Sequence, residues 1–161
     1  MVIQADKKYM NNSIVAKNWR QQTNKAKNGS SMYYEGRTIY SYGPHFPMAY
    51  ITDSTYGGKT IILQNSNTYS NSTAKHLNHM RSQCFNDAIV TIPTDLLKRF
   101  IDHLAHSEYS IILDLKIELA TVIHNRIKES EAKLKRARTT QELHKHDIAS
   151  AKEEIQVLSC I

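Results

Sequence analysis

The period of the apolar positions changes twice along the chain. Residues 1–31 are mostly polar and amide-rich, with Ile14, Val15 and Trp19 spaced for one or two amphipathic helical turns. The stretch 24–31, NKAKNGSS, reads as a loop. Between residues 32 and 92 β-branched and aromatic residues take over. Tyr34, residues 37–42 and residues 46–52 read as strands, with a turn at Gly43-Pro44. Tyr56-Gly57-Gly58-Lys59 reads as a hairpin connection into a short apolar strand at 60–64. Serines and asparagines over 65–72 offer caps for a helix at about 73–84, and 88–92 reads as a closing strand.

The remainder is helical. Pro93 and Thr94 mark a start, and Leu96, Leu97, Phe100, Ile101 and Leu104 follow at helical spacing. A break is expected at 106–110. A long helix then runs over about 111–138, with Leu115, Leu119, Ile123 and Ile127 four apart on one face. Thr139 and Glu142 have the capping-box spacing for a last helix, whose stripe is Ile148, Ala151, Ile155 and Leu158. The pattern therefore predicts an α+β protein: a small antiparallel sheet with one packed helix, followed by a C-terminal helical hairpin or bundle. Its divisions are a basic N-terminal arm or short helix (1–31), an α+β core (32–105) and a helical region (106–161). The thin apolar seam of that last region must pack on something, and a homodimer through the C-terminal helices is expected.

At 161 residues and 40% hydrophobic composition the chain can bury a core. Lys and Arg number 21 against 15 acids, which favours anionic partners such as nucleic acid or a nucleoprotein. Cys84 and Cys160 suggest two free thiols. MVIQADKKYMNN lacks the apolar core of a secretory signal, and no run is long and apolar enough for a membrane span. A cytoplasmic protein with no membrane contact is expected.

GxGxxG, GxxxxGK[ST], HExxH and GxSxG are all missing, so no cofactor is implied. Eight histidines include close pairs, yet no four-ligand pattern completes a metal site. The basic residues Lys17, Arg20, Lys25 and Lys27, with Trp19 among them, are candidate partner contacts, as is the cluster Lys133, Lys135, Arg136 and Arg138. Lys7 and Lys8 extend the basic arm. Ser70, Ser72, Thr73 and Lys75 enter a helix through a hydroxyl-rich turn, an arrangement suited to an anion. His45 and His76 are candidate acid and base there, with Lys75 stabilising the anion.

YSYGxHFPxA at 40–49 and YSxSTxKH at 69–76 together resemble a segment shared by small uncharacterised proteins of tailed bacteriophages and related mobile elements. The resemblance implies a phage protein acting in the host cytoplasm. The leading expectation is a viral accessory protein that binds a host nucleoprotein or defence complex without catalysis, as an anti-CRISPR inhibitor does. Two others stand beside it: an enzyme on a phosphate-bearing substrate (a nuclease or nucleotide hydrolase) using His45, His76 and Lys75, and a structural subunit of a virion or replication assembly.

Overall fold

The computed structural model describes residues 11–25 and 27–161; Lys7 and Lys8 lie outside them. The chain is α+β and divides into two compact units, residues 1–50 with 67–85 and residues 51–66 with 86–161. One five-stranded sheet has the order β1 (Met32–Glu35), β2 (Thr38–Ser41), β3 (Pro47–Tyr56), β4 (Lys59–Asn65) and β5 (Ala88–Ile92). The chain passes from the first unit to the second within β3.

In the first unit, β1 and β2 pair antiparallel around a tight turn in which Gly36 takes a left-handed φ of 51°. Tyr33 opposes Tyr40 across that pair, and their rings stack at 5.0 Å. Helix α1 (Asn12–Gln21) begins at Asn11, whose side chain accepts the Ser13 N–H at 3.0 Å. Its Val15, Ala16 and Trp19 are fully buried with Met32, Tyr34 and Ile39 of the strands, and Leu77 and Met80 of α2 (Asn71–Arg81). Burial of an indole would orphan its N–H, and Trp19 Nε1 instead donates to the Arg37 carbonyl at 2.9 Å. Within the basic segment 1–31, residues 12–21 therefore form a packed helix.

In the second unit, β3 and β4 meet through Gly57-Gly58, both at positive φ, as a two-residue hairpin requires. Ile61, Ile62 and Leu63 are all fully buried, the mark of a strand covered on both faces. The sheet is mixed: β5 pairs parallel to β4, with Ile61 opposite Ala88 and Asn65 opposite Ile92. An antiparallel sheet was the expectation. The parallel pairing follows from the connection, because α2 lies between these strands in sequence and carries the chain back.

Helix α3 (Thr94–Ala105) starts directly after Pro93, and its Thr94 hydroxyl donates to the fully buried Asn65 side chain at 3.0 Å. Helices α4 (Tyr109–Arg136) and α5 (Gln141–Leu158) pack on each other within the chain. Leu115, Leu119, Ile123 and Ile127 bury one stripe of α4, while Ile148, Ala151, Val157 and Leu158 bury one of α5. The start of α5 differs from the capping-box expectation: it begins at Gln141 after Thr140, with no side-chain cap. Its buried stripe also includes Glu154, which accepts the Thr91 N–H of β5 at 2.9 Å and two bonds from Arg126 at 3.0 and 3.1 Å. A carboxylate thus closes one donor of the edge strand, and Arg126 compensates its charge.

Candidate functional site

The two segments singled out in the sequence meet inside the first unit. Strand β2 ends at Ser41, and residues 41–46 fold back on themselves. The Ser41 N–H donates to the Phe46 carbonyl at 3.1 Å, and the Phe46 N–H to the Gly43 carbonyl at 3.2 Å. A Cβ on Gly43 would lie 2.8 Å from His45 Nδ1, so any other residue there would make the exposed His45 ring shift. Tyr42 sits in the left-handed region at φ 62°, unusual for a bulky side chain. Opposite this turn, α2 begins at Ser70, whose hydroxyl accepts the Thr73 N–H at 3.2 Å.

His76, on the second turn of α2, is 5% exposed and ties the segments together. Its Nδ1 lies 2.7 Å from Ser41 Oγ and its Nε2 2.9 Å from Ser31 Oγ. A neutral imidazole has one donor and one acceptor nitrogen, and a serine hydroxyl can meet either. Ser31 Oγ also accepts from Asn12 Nδ2 at 3.0 Å, so α1 joins the same polar cluster. Asn12 Oδ1 is buried there with no hydrogen-bond partner among the described residues. Burial, then the neighbouring charge of His79, holds the His76 pKa below its ordinary 6.5.

Around this buried cluster stand exposed groups. Tyr42 is 61% exposed and its ring leans on His76 at 5.2 Å. Tyr69 is 68% exposed and meets the buried Phe46 edge-on at 5.0 Å. His45, Ser70, Ser72 and Lys75 are exposed. Of the proposed anion ligands, Ser70 uses its hydroxyl on the helix cap and Thr73 is buried, so Ser72 and Lys75 are the pair that face solvent. His45 and His76 differ in kind, the first on the surface and the second enclosed with both nitrogens bonded. Trp19 is corrected from a contact residue to a core anchor, because none of its surface reaches solvent. Lys17, Lys25 and Lys27 remain exposed, and Arg20 is half-buried.

Positive charge is segregated between the units. Among the described residues the first holds seven Lys and Arg residues (Lys17, Arg20, Lys25, Lys27, Arg37, Lys75 and Arg81) against one acid, Glu35. The second is balanced, and its cluster Lys133, Lys135, Arg136 and Arg138 lies at and just beyond the C-terminus of α4, where cations complement the helix dipole. Lys75, the fifth residue of α2, stands near its N-terminal end, where a cation does not complement the dipole. The charge split was present in the sequence but could not be seen before the fold joined residues 67–85 to residues 1–50. The exposed aromatic pair was likewise hidden, since Tyr40, Tyr42 and Phe46 alike suggest core.

Beside the α4 cluster, Arg126, Lys133, His146, Glu129 and Asp147 line a groove of about 300 Å³ with mixed charge. Among the described residues, no group of three or more His, Cys, Asp or Glu side chains is placed to hold a metal ion. No described helix is long and apolar enough to cross a membrane. Comparison of the chain with protein families, with curated proteins and with solved structures gave no match.

Proposed function

We propose that the chain is a non-catalytic binding protein of a tailed bacteriophage or related mobile element. Its partner is a host nucleoprotein or defence complex in the host cytoplasm, which it inhibits in the manner of an anti-CRISPR protein. The observation that carries this proposal is the charge split: among the described residues, one unit has seven basic residues against one acid, whereas the other is balanced. Such a net charge raises the local concentration of a polyanionic partner and speeds encounter with it. The phage origin rests on the paired motifs at 40–49 and 69–76.

The enzymatic alternative asks His76 to exchange protons with a substrate. That ring is 5% exposed with a serine on each nitrogen, so it would first have to release one of them. Binding is therefore the better-supported proposal. Capture of tagged protein from host lysate, with and without nuclease, tests it. One dominant host complex is expected in the capture; an empty capture contradicts the proposal.

A further inference from the structure

We propose that Tyr42 and Tyr69 form a stacking surface for the bases of single-stranded nucleic acid. This rests on the binding proposal above and names the chemistry that the basic unit recognises.

Both rings stand in solvent, and each is propped by a buried one. Tyr42 leans on His76 and Tyr69 on Phe46, so both are held in place before any ligand arrives. Neither phenol oxygen has a hydrogen-bond partner among the described residues, so the fold does not use these tips to satisfy a buried group. Tyr42 also holds a left-handed backbone that Gly, Asn or Asp would adopt more readily. One ring is kept outward in the 41–46 turn at a conformational cost, and the other packs on Phe46 of the same turn, so the turn offers planar aromatic faces to a partner.

Charge selects that partner. Residues 67–85 contain no acid, and α2 carries Lys75 and Arg81 along with His76 and His79. Exposed Lys75 and His45 are close in sequence to the two exposed tyrosines. A ligand that is polyanionic and also planar is a nucleic acid, since an acidic peptide supplies charge without flat faces. Among nucleic acids a duplex keeps its bases stacked on each other, whereas a single strand leaves them free to stack on aromatic side chains.

The test is fluorescence anisotropy of labelled oligothymidylate and oligouridylate, and of a duplex of equal length, with the full chain at low salt. Single strands are expected to bind more tightly than the duplex. Tyr42→Ala and Tyr69→Ala are each expected to weaken that binding by roughly tenfold or more, and the Phe variants to retain it. A preference between the two homopolymers assigns DNA or RNA, and binding of either supports the proposal. Tyr42→Asn serves as a second variant, because asparagine tolerates the left-handed backbone and the fold should melt as the parent does. No single-strand binding, equal binding of the duplex, or affinity indifferent to both tyrosines overturns the proposal. Capture of a host complex that survives in the tyrosine variants would overturn stacking while leaving the binding proposal standing.

Discussion

His76 shows how one residue can look like chemistry in a sequence and act as structure in a fold. A histidine in the first turns of a helix, beside a lysine and three hydroxyls, suggests acid–base work. Its enclosure between Ser31 and Ser41 instead makes it the polar pin between α2 and the strands. Sequence could pair His76 with the 40–49 segment but could not supply Ser31, which a loop brings in from far along the chain. Because burial holds the folded pKa below 6.5, the unfolded chain takes up a proton first on acidification. The His76 contribution to stability is thus fully present above about pH 6.5 and is lost as the pH falls towards the folded pKa. His76→Gln removes that titration and, at neutral pH, costs about 1–3 kcal/mol through the lost bonds. The gap in melting temperature between wild type and variant is expected to narrow from about pH 7.5 to about pH 5. A gap constant across that range would show that the imidazole does not titrate on unfolding.

At the scale of elements, periodicity found nearly every helix and strand, because each buries one face and the face sets the period. It failed where geometry depends on connection. The apolar run at 88–92 looks the same in a parallel or an antiparallel pairing, and only the intervening α2 decides between them. Glu154 was equally invisible, as a carboxylate on an otherwise charged helix, yet it binds α5 to the edge of the sheet. Glu154→Ala leaves the Thr91 N–H and Arg126 without their acceptor and should cost about 2 kcal/mol in urea unfolding. Glu154→Gln keeps an oxygen for Thr91 and should cost about half as much; equal losses would mean that the bond to β5 contributes nothing. The seam that suggested a dimer is largely consumed by the α4–α5 packing. A different stripe of α4 stays open, with Tyr109, Leu113 and Ile117 four apart and exposed. Self-association through that stripe would give a light-scattering mass above one chain, and Leu113→Lys with Ile117→Lys would return it to the monomer. A monomeric wild type would contradict it.

For the whole molecule the decisive property is where its charge lies. The net excess of +6 gives no address on its own, and the basic cluster near the end of α4 draws the eye first in the sequence. The fold reverses that emphasis. The α4 cluster has a local electrostatic reason and belongs to a balanced unit, while the discontinuous first unit holds the net positive charge and the exposed tyrosines. The most direct test of this account is capture from host lysate with two triple charge reversals run side by side. One carries Lys17→Glu, Lys25→Glu and Lys27→Glu, and the other Lys133→Glu, Lys135→Glu and Arg136→Glu. The account predicts that the first loses the captured complex and the second keeps it; loss only from the second would contradict it.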